Sequence, residues 1–462
     1  MKKHIINRIL PIVLFAFMAV ALNAQTLRTG YFLKGNLYRY RINPAHMNDQ
    51  NYLSFPVLGN MDINTAGNVG LANFVYDSPN GTDLVTFMHP SVSADDFLGD
   101  LEGDNQIMAD FDFTIMSAGF FAFGGYNTID LSARSRTGLN IPYDMFKFMK
   151  VMGNNDYSFG DLNARTRNYI DLSLGHSRKI TEDLTVGARV KLLFGIAYAD
   201  MTMDRMDISM NGDRWSINAK GAASVGLGGN FTLAEDGTVD GYDNVSVGMN
   251  GFGFGLDLGA TYDLSNLVTK GLIVSASLND IGSISWKNVA KAGISPDEPY
   301  VFDGFEEIAM DDDVPGRNLE DQFDDMKEDV EDFFKFEDMG EGSKSESLGA
   351  TLNLGVEYKM PFYDKLSAGI LYTNRFDDLY PYSQLSLMVN VSPLKSLDFA
   401  LSGTTSTFGA GFGAMANVRL KGFNFFVGTD CFISKVGKQF IPLENMNANV
   451  SFGINIPFGE RK

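Results

Sequence analysis

Cysteine is almost absent from this 462-residue chain: Cys431 stands alone, which excludes a disulfide framework. Histidine is scarce as well. His46, His89 and His176 fall in separate segments, with no His-x-x-x-His spacing or Cys cluster to hold a metal. No Gly-x-Ser-x-Gly marks a nucleophile elbow. With no catalytic constellation, the expectation is a protein that is not an enzyme and needs no cofactor or metal. Basic residues are outnumbered, 37 Lys and Arg against 57 Asp and Glu, for a net charge of −20. No basic face offsets phosphate repulsion, so nucleic acid is not an expected partner.

Long apolar runs are missing too, except at the start. Lys2, Lys3 and Arg8 precede an apolar stretch from Ile9 to Leu22, interrupted by Pro11 and ending in Leu22-Asn23-Ala24. A membrane helix needs about 20 mostly apolar residues, so this shorter stretch reads as a secretory signal peptide over 1–24, cleaved before Gln25. No cysteine follows the cut to carry a lipid anchor. Beyond Ala24 no further run of 18 apolar residues occurs.

What the chain has instead is alternation. Val450, Phe452, Ile454, Ile456 and Phe458 share one parity, while Ser451, Gly453 and Asn455 take the other. Leu184 to Phe194, Phe252 to Tyr262 and Leu348 to Tyr358 repeat the pattern. Strands of a soluble sandwich usually run to about five or six residues, whereas strands crossing a bilayer run to about 10. These segments are of the longer kind. Extending the same test predicts sixteen strands, from 61–71 to 447–458, including separate ones at 183–197, 202–211, 214–227 and 248–263. Short connections such as Gly124-Gly125, Gly212-Asp213 and Pro393–Lys395 alternate with longer ones such as 138–166, 228–247 and 282–345. That rhythm of periplasmic turns and outer loops predicts an all-β fold, a transmembrane antiparallel β-barrel of 14–16 strands over 61–462 with its C-terminus in the periplasm. Its surroundings are then outer-membrane lipid, and its place is the cell outer membrane.

Residues 25–60 break the rhythm. Arg39-Tyr40-Arg41, Asn43-Pro44-Ala45 and Phe55-Pro56-Val57 suit neither a central strand nor a helix. Their aromatic content predicts a plug or hatch tucked into the lumen, the alternative being a disordered periplasmic arm. Asn43, Pro44 and Ala45 are plug candidates.

With these features in place, the chain resembles the fatty-acid-transporter-like (FadL-like) barrels of the Gram-negative outer membrane. The resemblance is carried by Asn43-Pro44-Ala45, by Gly253-Phe-Gly-Leu-Asp-Leu-Gly-Ala-Thr-Tyr262, and by Leu278-Asn279-Asp280-Ile281-Gly282 before Ser285-Trp286. It implies an N-terminal hatch inside a barrel of typically fourteen strands, two fewer than the alternation predicts. Leu27-Arg28-Thr29-Gly30-Tyr31 and the hairpin from Asp204 to Trp215 resemble more closely a group of Bacteroidota outer-membrane barrels with no assigned activity.

Parity places Arg134, Arg189, Lys191, Arg205, Arg214 and Lys220 on the lumen side, with Asp130, Asp171, Asp207 and Asp257. Confined charges are usually paired, so one reading is a salt-bridge ladder bracing the lumen and holding the plug. The other is a partly basic conduit that attracts anionic or carboxylate-bearing solutes.

Two outer loops invite attention. Between Asp297 and Asp338 lie eighteen Asp and Glu against three Lys and Arg, most of the chain's negative charge. Leu319, Phe323, Met326, Val330 and Phe333 recur there at helical spacing, with Asn318 as N-cap. This predicts an amphipathic helix, either folded over the mouth as a solvated lid or presented to a partner. Tyr143–Met152, rich in Met and Phe, is either a greasy entry or a helix capping the barrel core. Two functions follow: passive transport of a small hydrophobic or amphipathic solute, or an envelope interaction or secretion-associated barrel whose outer loops bind an envelope protein partner or a surface ligand.

Overall fold

The computed structural model describes residues 27–461 apart from 81–83, 152, 154, 212–213, 247, 295, 297, 304–328, 330–332, 334, 379 and 432–446. The signal-peptide stretch lies outside the described residues. Within them, nineteen strand segments join in one antiparallel sheet that closes on itself, and these segments fill fourteen wall positions. We number the positions β1 to β14.

β1 comprises Asn51–Ser54 and Met61–Gly67, which pair with the same two neighbours on either side of a break. Pro56, which has no N–H for a ladder, lies in that break, so Asn51–Ser54 belongs to the wall and not to the segment before it. β2 (Asp104–Ala122), β3 (Gly125–Pro142), β4 (Leu162–Lys179) and β5 (Leu184–Asn211) follow. β6 is shared by Arg214–Gly226 and Gly251–Asp263, which pair respectively with the outer and inner parts of β5. β7 is Leu272–Ile294, and β8 is shared by Glu337–Ser347 and Ala350–Lys359. β9 (Leu366–Phe376), β10 (Tyr382–Leu394), β11 (Leu397–Ser406), β12 (Gly409–Leu420), β13 (Phe423–Thr429) and β14 (Ala448–Phe458) complete the ring. Closure comes from β14 against β1, with Met61 opposite Phe452 and Asn51 opposite Phe458.

Two of the sixteen expected strands disappear by merger. The segments 183–197 and 202–211 are one 28-residue strand, β5, interrupted by a bulge at Ile196: Asn168 faces Ala197 while Tyr169 faces Gly195. The extra residue flips parity, so Arg189, Lys191 and Leu193 point inward before it and Tyr198 and Asp200 after it. In sequence that flip looks like the end of a strand. The segments 214–227 and 248–263 share one wall position. Because β5 is continuous, Asn211 and Arg214, which flank the expected periplasmic turn, stand at the outer end of the barrel. The acidic loop is shorter than expected for a related reason: β7 runs on to Ile294 and β8 begins at Glu337.

The outer surface of the ring is apolar. Val190, Phe254, Leu354, Ile370, Leu387, Leu401, Val427, Val450 and Ile456 are exposed, each flanked in its strand by residues of the opposite face. The inner surface is polar, with Asp130, Ser173, Asp257, Asn353, Ser386, Asn417 and Asn455 all buried. Burying the polar face while exposing the apolar one inverts a soluble sandwich and fits a lipid surround. With the ring closed by β14 against β1, the strands find their backbone partners within the barrel, as hydrocarbon demands. This is an outer-membrane barrel.

β5 is nearly three times the roughly 10 residues that cross a bilayer, so its outer half and the hairpin with β6 stand beyond the membrane. A helix, α1 (Tyr143–Lys150), caps the outer end of β3. Phe146 packs with Phe74 and Phe97, while Met145 and Phe148 join Tyr157, Phe159 and Ile208. Lys150 Nζ donates to the carbonyls of Phe87 and Val92 at 2.6 Å. With both faces packed and its end tied down, this helix caps the rim and offers no greasy entry.

Candidate functional site

Residues 27–50 run through the inside of the ring, nearly all buried. Short-range bonds shape the segment: the Asn43 side chain accepts from Ala45 N at 3.0 Å, folding Asn43-Pro44-Ala45 into an Asx turn. Asn43 Nδ2 also donates to Tyr31 Oη, and to the backbone carbonyls of Ala260 and Ala276 on β6 and β7. Pro44 lies against glycines. A Cβ on Gly187 would come within 2.2 Å of the Pro44 carbonyl, and one on Gly259 within 2.1 Å of Asn43 Oδ1. These wall glycines leave the depth that the turn occupies.

The rest of the segment is held by polar contacts to many strands. Thr29 donates to Asp430 at 2.6 Å from its backbone and 2.7 Å from its hydroxyl, and exchanges a 2.7 Å bond with Ser402. Tyr38 Oη donates to Asn455 at 2.7 Å. Ser277 and Asn279 both donate to the Ile42 carbonyl at 2.6 Å. Leu33, Leu37, Tyr38 and Tyr40 cluster with Tyr52, Met415 and Phe426 of the wall.

Asp130 on β3 joins this segment to the wall. It accepts from Tyr40 Oη at 2.7 Å, Ser117 Oγ at 2.7 Å, Arg41 Nη2 at 3.1 Å and Arg189 Nη2 at 3.0 Å. From there a chain of buried ion pairs crosses the lumen. Arg189 pairs with Asp257 at 3.3 Å, and Lys191 with Asp257 and Asp280 at 2.6 Å each. Arg134 pairs with Asp171 at 2.9 Å, Arg136 with Asp112 at 3.0 Å, and Arg375 with Asp110 at 3.3 Å. Such pairing is what a confined charge needs to offset desolvation.

Of the residues that parity placed inward, Arg134, Arg189 and Lys191 are brought together in this network. Arg205, Arg214 and Lys220 are not. All three are exposed on the hairpin beyond the membrane, where Arg214 pairs with equally exposed Asp303. The register shift at Lys220/Gly221, together with the length of β5, carries them out of the lumen. Arg136 shares the parity of Arg134, so the same alternation gives its inward position. Arg41 and Arg375 gave no periodic signal, since one lies in the irregular segment and the other at the end of its strand. Leu319, Phe323, Met326 and Val330 lie outside the described residues, while Phe333 lies 6.1 Å from the Tyr300 ring.

Free space is unevenly distributed. Toward the outer end a cavity of about 740 Å³ is lined by Phe376, Pro381 and Tyr382 together with Arg375, Asp377 and Asp378. Next to the segment lie two small cavities, of about 60 and 80 Å³. An apolar group lines the upper lumen beside the junction of β6: Trp286 stacks on Tyr198 at 5.2 Å, with Tyr169, Leu193 and Leu348. Among the described residues no three His, Cys, Asp or Glu side chains converge as metal ligands would.

Residues 44–430 match the family model described as "Family of unknown function (DUF5723)". No curated protein matches the chain. Solved structures similar to it include a Pseudomonas aeruginosa FadL homologue, at 11% identity and TM-score 0.44 over 95% of this chain and 100% of that one. The P. putida toluene transporter TodX is similar at 11% identity and TM-score 0.39, over 91% and 93% of the two chains. The CymD monoaromatic hydrocarbon channel is similar at 10% and 0.37, over 96% of each.

Proposed function

The chain belongs to the family of unknown function DUF5723, and from that footing we propose a passive, gated channel for small hydrophobic or amphipathic solutes. Residues 27–50 are the gate, a plug that closes the lumen. The supporting observation is the contrast between the cavity of about 740 Å³ at the outer mouth and the two small cavities, of about 60 and 80 Å³, beside the buried segment 27–50. A solute with apolar and polar parts finds both kinds of surface at the mouth: rings at Phe376 and Tyr382, charges at Arg375 and Asp377. Below, closure depends on the chain's own N-terminal segment, held by hydrogen bonds and ion pairs that exchange with water when the segment moves. The wall strands need not open.

A reversible lock tests this reading. The hydroxyls of Thr29 and Ser402 touch, so Thr29→Cys with Ser402→Cys, in a Cys431→Ser background, can tie the plug to β11. Proteoliposome uptake of hexanesulfonate and 6-aminohexanoate should fall to the protein-free level when the pair is oxidised and return on reduction. Equal uptake in both states would show that the plug does not gate the barrel.

A further inference from the structure

The short turns at the C-terminal end of the barrel, its periplasmic side, share one composition. Each exposes a large apolar side chain at its tip. Phe123 is 84% exposed between β2 and β3, and Phe362 is 80% exposed between β8 and β9. Ile180, Leu267 with Val268, Leu394 and Leu420 take the same place in the other four turns, each at least 52% exposed. Turn tips in water are ordinarily polar, so a full circle of apolar ones marks a contact surface.

Each tip also has a cation beside it. Lys179 precedes Ile180, Lys270 follows Val268, and Lys365 follows Phe362 within the same turn. Lys395 and Lys421 come directly after Leu394 and Leu420. The remaining turn takes its cation from the strand alongside: a Cβ on Gly124 would lie 3.6 Å from the Arg178 guanidinium carbon. Arg461, past the end of β14, adds one more. All of these cations are exposed, whereas the exposed acids of the same rim are Glu182, Asp364 and Glu460.

The rim cations lack counter-ions. Acids outnumber bases 57 to 37 in the chain, and Arg134, Arg189 and Lys191 in the lumen each hold a carboxylate. Among the described residues no rim cation forms an ion pair. Where their head groups are held, the partners are neutral carbonyls. Lys365 Nζ donates to Pro393 at 2.9 Å, and Arg461 donates to Lys395 and Arg419. Such bonds fix the position of a charge without neutralising it. In a chain of net charge −20, free cations beside apolar tips point to an anion from outside.

Two features identify that anion. The tips continue the lipid-facing band: Leu354 and Val356 lead along β8 to Phe362, and Phe458 ends the exposed series of Val450 and Ile456 on β14. They therefore stand at the head-group level of the inner leaflet. There a long basic side chain lays its stem along apolar surface and holds its charge among phosphates. The cations also recur at every second strand, about 10 Å apart at roughly 4.8 Å per strand. A layer of lipid head groups meets such a circle all round, whereas one folded acidic protein meets an arc of it.

We propose that the periplasmic rim binds anionic glycerophospholipids of the inner leaflet, with each apolar tip set among acyl chains and each cation at a head-group phosphate. The proposal is independent of what crosses the lumen.

A tryptophan at a tip tests it. Phe362→Trp in a Trp215→Phe background places an indole between Lys359 and Lys365, while Trp286, the remaining tryptophan, is buried in the lumen away from lipid. In phosphatidylcholine bilayers, dibrominated phosphatidylglycerol quenches this indole according to its local occupancy. Compared with dibrominated phosphatidylcholine at matched fractions, it should show a preference of roughly fivefold at low salt, the factor expected for one basic side chain at an anionic surface. In 1 M NaCl the preference should fall toward unity. Lys365→Gln with Lys395→Gln should remove most of the low-salt preference and leave quenching by brominated phosphatidylcholine unchanged. Arg205→Gln with Lys220→Gln, on the outer hairpin, should alter neither. Heat-modifiable gel mobility confirms that each variant is a folded barrel, and Lys395→Gln alone serves if the double variant is not. The proposal is overturned if neither lipid quenches the tip indole, which would put the tip in water. It is equally overturned if the two lipids quench alike at low salt, or if the preference survives in the rim variant. Binding of polyglutamate that the rim variant loses, without any lipid preference, would assign the rim to an acidic protein and overturn it as well.

Discussion

Asp130→Asn is the most informative single change to this barrel. Asp130 is the ion partner of Arg41, the one guanidinium of the plug that pairs with a β3 carboxylate, and it also accepts from Tyr40 of the plug. All of these groups are buried. Asparagine keeps the shape and one acceptor oxygen, so Tyr40 or Ser117 can still donate, but the Arg41 charge is left without its counter-ion. Removing one partner of a buried pair costs about 3–5 kcal/mol, and the retained acceptor argues for the lower end. Arg189 is buffered because it keeps Asp257. Most of the cost therefore falls on the docked plug. A loss of about 3 kcal/mol raises the undocked fraction by roughly 150-fold. Leu37 is buried within the plug, so Leu37→Cys in a Cys431→Ser background reports undocking through the rate of labelling by a bulky maleimide. When opening and closing outpace labelling, that rate follows the open population. Asp257→Asn is the control, because it breaks the same network while leaving Arg41 and Asp130 paired. Labelling of the Asp130→Asn protein within about twofold of its parent would refute Asp130 as the latch, given that the expected effect is roughly 150-fold.

Other changes probe separate parts of the fold. Gly187→Val or Gly259→Val would drive a side chain into Pro44 or Asn43, and overpacking of this kind costs about 1–3 kcal/mol; the same labelling assay should accelerate while the barrel stays folded. Leu354→Arg or Ile370→Arg places a charge on the exposed lipid face, so guanidinium unfolding in liposomes should show a loss of about 2–4 kcal/mol. Asp236, in the hairpin between the two halves of β6, is held below the usual carboxylate range by the Lys335 hydrogen bond and then by Thr238. A depressed folded value means the contact is present above the unfolded pKa and is lost as pH falls through the folded one. Lys335→Met should therefore raise the Asp236 titration midpoint, read from its carboxyl carbon shift by NMR; an unmoved midpoint would refute the pairing.

The sequence by itself determined which face of each strand meets lipid. Alternation is local: side chains of neighbouring residues leave a strand on opposite sides, so Val450, Ile456 and Phe458 could be assigned outward without any knowledge of the ring. The same parity put Arg134, Arg189 and Lys191 inside, and the rhythm of turns ordered the hairpins. What parity could not survive was a bulge. One extra residue at Ile196 divided a continuous strand in two on paper, and the division of β6 between distant segments added another, giving sixteen where the ring has fourteen positions. The length of β5 was equally hidden, and it decided that Arg205, Arg214 and Lys220 stand in water. The network around Asp130 was beyond sequence altogether. Its members are separated by up to hundreds of residues, and their meeting depends on barrel closure, strand stagger and the depth that Gly187 and Gly259 leave for the Asn43-Pro44-Ala45 turn. Period two decides a direction for each side chain; only the closed ring decides which side chains, pointed at one axis, come within reach of one another.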